Sequence, residues 1–411
     1  MNKKYFVDCA CDKSINGNEV ILGNKINGRW MKIPIECYKA IEYAVDNNIA
    51  LNDVTECFLD LSDKKYFEKI VEKIDSIGLT SSEVIEKLYW SEISSISFSP
   101  TNKCNLKCDY CCSDSNLEEK DYLNTEQVKK VIDNIVRLNP KRLVLTGGEP
   151  MLRKDFFEIL EYAKVNFKGK IILATNATLI QDKDIDNITN NIYALEISLD
   201  GYDEESCSKV RGNGVFEKVI NVVKKVQSRG FDNISLSMVV GKNNEKDIEK
   251  FELLNTELGT KSVIRDFMKI GRGLKSSKEY ISNELQNIYI EEKSFYDKKD
   301  ILINKCKAGN NQLSINHKGD VYPCPILEYD ELKMFNILDL NGSIIENIKK
   351  RNMKVYNKFD DLKPVNMDEC RTCEIKLFCT SCPARMYGLK LNRQEFENNC
   401  REMKEIFTPF L

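Results

Sequence analysis

Between residues 93 and 267 the chain alternates six short β-rich runs with five helical patterns, and this alternation constrains its fold most. The β-rich runs are 93–99, 142–146, 170–175, 194–199, 234–240 and 261–267. Helical patterns lie near 125–138, 154–167, 181–189, 215–229 and 245–258. In 215–229, Val219, Val222, Val223 and Val226 recur at helical spacing with Lys and Arg on the other face. Alternation repeated this often implies parallel strands joined by right-handed crossovers. Six units are too few to close an eight-fold barrel. A partial barrel and an open doubly wound sheet both satisfy the pattern.

Three cysteines, Cys104, Cys108 and Cys111, fall in eight residues just after the first run, as C-N-L-K-C-D-Y-C. Three thiolates this close can hold three irons of a 4Fe-4S cluster and leave the fourth open to something that is to react. Structural or zinc-binding thiols are the competing reading, but a zinc site takes four ligands. The chain has sixteen Cys and one His, His317, which argues against imidazole metal sites and His base catalysis. Disulfides would need an oxidising compartment. Asp8 and Asp12 interrupt any signal-peptide core, and no apolar run approaches the ~20 residues that span a membrane. A soluble, cytoplasmic chain with reduced thiols is expected. With 61 Lys plus Arg against 64 Asp plus Glu, the net charge of −3 argues against nucleic-acid and membrane partners.

Seven more cysteines gather near the end: Cys306, Cys324, the quartet Cys370, Cys373, Cys379 and Cys382, and Cys400. Paired zinc motifs keep about 12–20 residues between pairs, whereas five separate Cys373 from Cys379. Cys9, Cys11, Cys37, Cys57, Cys112 and Cys207 remain and read as small apolar residues. Cys112, beside the triplet, fits that reading least well.

The C-x3-C-x2-C spacing, with Tyr110 before the third Cys, resembles the signature of radical S-adenosylmethionine (radical SAM) enzymes. Gly147-Gly148-Glu149-Pro150, directly after the second run, resembles the family's G-G-E-P element. The resemblance implies an α/β fold with a partial (β/α)6 TIM-like barrel. It also implies SAM on the open iron, with its amino group at Gly147–Pro150 and Tyr110 among the cofactor contacts. Ser198 and Asp200 would lie near the ribose, with Thr175 or Asn176 beside it, and Arg211 would pair with the SAM carboxylate. Reductive cleavage of SAM would then yield a 5′-deoxyadenosyl radical that takes hydrogen from a substrate carbon. No catalytic base is indicated.

The late cysteines resemble a SPASM domain, which carries two auxiliary 4Fe-4S clusters and brings the total to three. By that likeness Cys370, Cys373, Cys379 and Cys400 fill one cluster, while Cys306, Cys324 and Cys382 hold the other. The third gap of the quartet is two residues where the family usually has three, which bears on Cys382. Residues 290–305 hold no Cys, so the second cluster is expected to have an open iron, available to a substrate thiolate or filled by a non-Cys side chain.

Residues 1–92 show short strands at 19–22 and 30–33, then helical patterns at 35–47, 51–59 and 64–77. This winged-helix-like order resembles the precursor-peptide recognition domain of peptide-modifying radical SAM enzymes, which grips a leader peptide along a strand edge. A small structural extension of the barrel is the other reading. The expected domains are thus 1–92, a barrel over 93–295 and SPASM over 296–411.

Together these features resemble maturases of ribosomally made (RiPP) peptides, of the sactipeptide and ranthipeptide type. The expected function is hydrogen abstraction from a precursor peptide with a leader, followed by a crosslink, a Cys thioether first. Flavodoxin or ferredoxin would donate the electron. Carbon–carbon crosslinking and epimerisation stay open. A formylglycine-forming sulfatase maturase is a further alternative, but Pro325 stands where that group generally has Asp. A non-catalytic electron-transfer protein would leave Gly147–Pro150 and Arg211 idle.

Overall fold

The computed structural model describes residues 3–86, 92–241, 243–280, 302–303, 306, 308–309, 311–379 and 382–410. Near the N-terminus, β1 (Tyr5–Phe6) precedes β2 (Cys11–Asn16), β3 (Glu19–Asn24) and β4 (Trp30–Pro34). The last three form an antiparallel sheet. Three helices follow, α1 (Ile35–Asp46), α2 (Leu51–Val54) and α3 (Leu61–Ser76), and β5 (Thr80–Ser81) pairs back onto β1. Asp60 caps α3 by accepting from the backbone N–H groups of Ser62 and Asp63. Val20, Leu22, Ile33, Tyr38, Ile41, Phe67 and Ile74 share one buried core. The strands at 19–22 and 30–33 and the three helices were expected. The strand β2 was not, because Cys-Asp-Lys-Ser-Ile-Asn holds only one β-branched apolar residue.

The six β-rich runs form β6 (Ser95–Phe98), β7 (Arg142–Leu145), β8 (Lys170–Thr175), β9 (Ala194–Ser198), β10 (Ile234–Val240) and β11 (Lys261–Asp266). Each pairs in parallel with the next. The helices between them are α4 (Thr125–Leu138), α5 (Phe156–Asn166), α6 (Ile185–Asn191), α7 (Glu204–Arg211), α8 (Val215–Ser228) and α9 (Ile248–Leu258). Only α7 was not anticipated. Helix α4 opens on a capping box between Asn124 and Gln127 and buries Val128, Val131, Ile132, Ile135 and Leu138. Helix α8 likewise buries Val219, Val222, Val223 and Val226.

Strand order separates the two architectures that the sequence left open. A doubly wound sheet reverses its order at a switch point, whereas β6 to β11 run consecutively. Burial agrees. On one face Ile96, Phe98, Leu143, Leu145, Leu195 and Ile197 are at most 1% exposed. On the other, Ser97, Val144, Ala174, Glu196 and Ser198 are only half-buried. Helices cover a single face, as in a partial barrel.

The sheet then continues beyond the six units. Strand β12 (Gln312–Ile315) joins β6 in parallel, and β13 (Asp320–Tyr322) and β14 (Phe335–Asn336) extend it antiparallel. The chain divides into two compact units, one of residues 91–288 with 308–349 and one of 1–90, 289–307 and 350–411. The segment expected as SPASM is therefore shared between units. The boundary expected at 295/296 lies outside the described residues. In the second unit Ile21, Ile303, Leu377 and Phe378 share an apolar cluster, and Trp30 meets Phe378 edge-on at 4.8 Å. No helix among the described residues is long and apolar enough to cross a membrane.

Candidate active site

The C-terminal ends of β6 to β10 carry the residues singled out in the barrel. Cys104, Cys108 and Cys111 lie in the loop that leaves β6, all half-buried. The loop is tied at its base, where the Cys104 N–H donates to Asn116 O at 3.1 Å, and Cys111 N–H turns back to Cys108 O at 3.3 Å. Leu106 N–H reaches the Cys104 sulfur at 3.4 Å. Burial pushes the Cys104 thiol up to about 11, helped by the neighbouring Cys108 and Cys111. The triplet thus shares one electrostatic neighbourhood, and a metal would have to displace its protons.

Gly147–Pro150 packs directly on this loop. Gly148 N–H donates to Thr101 O at 3.0 Å and Glu149 N–H to Lys103 O at 2.6 Å. A Cβ on Gly148 would sit 2.1 Å from Lys103 O, and one on Gly147, whose φ is +141°, would sit 2.5 Å from Thr101 O. The close approach that the two glycines permit is therefore to the loop itself. Pro150 starts a short 3-10 turn, Pro150–Leu152.

Glu149 is fully buried. Its carboxylate accepts from Thr175 Oγ1 and Asn176 N–H, each at 2.8 Å, and from Met151 N–H at 3.2 Å. Burial raises its pKa against these bonds. Glu149 thereby clamps the end of β7 to the end of β8. Asn176 also donates to Asn105 Oδ1 at 2.9 Å, and Asn105 donates to Thr178 Oγ1 at 2.8 Å, so β8 holds the cysteine loop as well. Asn105 and Thr178 had no motif to flag them.

Ser198 ends β9 on the half-buried face, and Asp200 follows in a left-handed conformation at φ +60°. The Asp200 carboxylate accepts from Val239 N–H and from Arg211 Nε, both at 2.6 Å. Arg211 and Asp200 form a buried pair, with side chains 11% and 1% exposed. Tyr110 is buried against Val210, with Cys108, Val239 and Phe267 around them. Thr175, Asn176, Asp200, Arg211 and Tyr110 thus converge on one region beside Cys104 and Cys108.

In the second unit, burial pushes the Cys370 thiol up to about 12, with Cys379, Cys400 and Cys373 adding to the effect in that order. These four are the set expected to share one cluster. Cys373 packs in the clusters of both Met367 and Ile375, the second of which also includes Cys379. Cys306 and Cys382 belong to this unit and Cys324 to the barrel unit. Of the leftover cysteines, Cys11, Cys37 and Cys207 are buried, Cys9 is half-buried, and Cys57 and Cys112 are exposed. Among the described residues no three Cys, His, Asp or Glu side chains close on one metal ion. A four-iron cube spaces its thiolates wider than a single ion does, and an all-thiol donor set suits iron–sulfur chemistry.

Residues 98–254 match the model of the radical SAM superfamily, and 306–374 match the SPASM iron–sulfur cluster-binding domain. The mycofactocin maturase MftC of Mycolicibacterium smegmatis is 28% identical over 59% of this chain and 67% of its own length. A GTP 3′,8-cyclase of Clostridium botulinum is 28% identical over 65% of this chain and 91% of its own. Among solved structures, Streptococcus suis SuiB bound to the precursor peptide SuiA matches with a TM-score of 0.56 and 15% identity, over 94% of this chain and 97% of SuiB. With a consecutive parallel sheet, a three-cysteine loop at its strand ends and these two domain matches, the chain is a radical SAM enzyme that carries a SPASM domain.

Proposed function

We propose that this enzyme is a peptide maturase that modifies a ribosomally made precursor peptide by hydrogen abstraction. The observation that carries the reading is the gathering of Cys370, Cys373, Cys379 and Cys400 in a SPASM region downstream of the barrel. The similar MftC is named a maturase, and the similar SuiB is seen with a precursor peptide. Residues 1–92, with their antiparallel sheet and three helices, are the part we assign to leader recognition.

Cys104, Cys108 and Cys111 would hold the SAM-binding cluster, and Cys370, Cys373, Cys379 and Cys400 an auxiliary one. The bound cluster and SAM supply an electron and a carbon radical strong enough to take hydrogen from a C–H bond. The protein's part is to orient and to exclude water. Glu149 fixes the cysteine loop against β7 and β8. Asp200 takes up both Nε and Nη2 of Arg211 and so fixes the orientation of the guanidinium that we assign to the SAM carboxylate. Ser198 offers a hydroxyl on the half-buried face of the sheet.

The bond to test first is a Cys thioether. Seven Cys from 306 onward fall one short of the eight that two auxiliary clusters would take, and a substrate thiolate would complete the count. Flavodoxin or ferredoxin is the proposed electron donor. Anaerobic co-expression with each short Cys-containing peptide encoded near the enzyme's gene tests the reading by mass. Loss of two hydrogens per crosslink supports it, and fragmentation then separates thioether from carbon–carbon bonds. An unchanged mass without deuterium uptake from heavy water, across all neighbouring peptides, would sink it.

A further inference from the structure

Arg272 lies in Gly271-Arg272-Gly273, just past β11, and belongs to none of the motifs above. Its Nε donates to Cys108 O at 2.9 Å, and its Nη1 donates to Asp114 Oδ1 and Ser115 O, each at 2.8 Å. Its backbone N–H donates to Cys111 O at 3.0 Å. Next on the chain, α10 (Gly273–Tyr280) adds Ser276, whose hydroxyl donates to Asp109 O at 3.0 Å. Gly271 has φ +53°, and a Cβ there would lie 2.4 Å from the carbonyl oxygens of both Cys111 and Cys112. The segment therefore presses on the cysteine loop as closely as backbone can.

The Arg272 side chain is 11% exposed. A planar fork can satisfy two carbonyls and a carboxylate at once, which an ammonium on a flexible stem cannot. A permanent positive charge, offset only in part by the exposed Asp114 carboxylate, favours whichever state of a neighbouring group is more negative. For an iron–sulfur cluster that is the reduced state, and local charge and hydrogen bonding are among the determinants of its potential.

We propose that Arg272 is a positioning residue for the SAM-binding cluster. It fixes the Cys108–Ser115 half of the loop through its hydrogen bonds, and its charge raises the cluster's reduction potential. The inference rests on Cys104, Cys108 and Cys111 as that cluster's ligands. A wild-type enzyme whose iron–sulfur EPR signal ignores SAM would sink that assignment. A SAM-sensitive wild type with unaffected variants would sink only the role of Arg272.

The test compares anaerobically reconstituted Arg272→Gln, which loses the charge, with Arg272→Lys, which keeps it and loses the fork. Midpoint potentials are read from the SAM-sensitive EPR signal, and loop order from amide hydrogen exchange over 108–115. Arg272→Gln should shift the potential to more negative values and slow SAM cleavage at fixed reductant by about 10- to 100-fold. Arg272→Lys should hold the wild-type potential while its loop amides exchange faster. Selective loss of this cluster with unchanged circular dichroism would support the clamp. Wild-type potential and exchange in both variants, an equal potential shift in both, or global unfolding of both would overturn it.

Discussion

Arg153 shows how much of this site is decided by single side chains. It is 5% exposed, and its Nη1 donates to Pro100 O and Leu123 O, each at 3.1 Å. Nε and Nη2 fork onto Asp155 at 2.9 and 2.7 Å, while Thr125 also donates to Asp155. Asp121 joins through Thr101 at 2.6 Å and Lys103 at 2.7 Å. The network secures the point where the chain leaves β6 for the cysteine loop. Burial pushes the Asp155 carboxyl up, but the hydrogen bonds from Arg153 and Thr125 outweigh it and hold the pKa below the ordinary value. Asp121 is depressed likewise by Lys103 and Thr101 against its burial. A depressed folded-state pKa means stability that is present above the unfolded value, about 3.9, and lost as pH falls through the folded one. Asp155→Asn should therefore cost about 1.5–3 kcal/mol at neutral pH and flatten the acid limb of stability below pH ~4. Urea unfolding across pH checks both. The sequence showed Glu149 as a motif residue, yet its partners Thr175 and Asn176 lie 26 and 27 positions away. Spacing reveals a motif, and only folding reveals what it holds.

At the scale of elements, local pattern was a reliable guide wherever one face alone is buried. Helix α4 occupies the expected residues because Asn124 and Gln127 cap it and its apolar stripe has a 3.6-residue period. Helix α7 was missed because Glu204–Arg211 buries only Cys207 and Val210, too little for a period to show. Strands β12 to β14 were missed for a related reason, being two to four residues long. Helix α8 offers a direct test of the stripe. Val223 is 0% exposed, so Val223→Ala should cost about 2 kcal/mol through lost burial and a cavity. Exposed Lys224, one position along, should tolerate Ala within about 0.5 kcal/mol. Chemical denaturation of the two variants side by side gives the comparison.

For the whole molecule, the compact units cut across the order of the chain. Residues 308–349 complete the barrel sheet, because β12 occupies the free edge of β6 through four register pairs from Gln312–Ser95 to Ile315–Phe98. An unpaired edge of apolar strand invites pairing with other chains. A fragment of residues 92–349, although Ile303 loses its partners there, should therefore be more soluble than one that lacks β12, with the circular dichroism of an α/β protein. One of residues 92–307 should aggregate, and sedimentation of the two fragments would show it. Residues 350–411 instead share a core with the N-terminal segment through Phe378, Leu377 and Ile21.

The strand–helix alternation, the thiol spacing of the cysteine loop and the polar residues at strand ends were all legible in the order of amino acids. These are local properties, set by periods of two and 3.6 residues and by neighbours a few positions apart. Tertiary structure decided that helices cover one face of the sheet, that β12 closes onto β6, and that Glu149 and Asp200 are held by partners within the protein. It alone brought Arg272 to Asp114, 158 positions earlier. Such contacts depend on where the crossovers return the chain, and no local pattern records that.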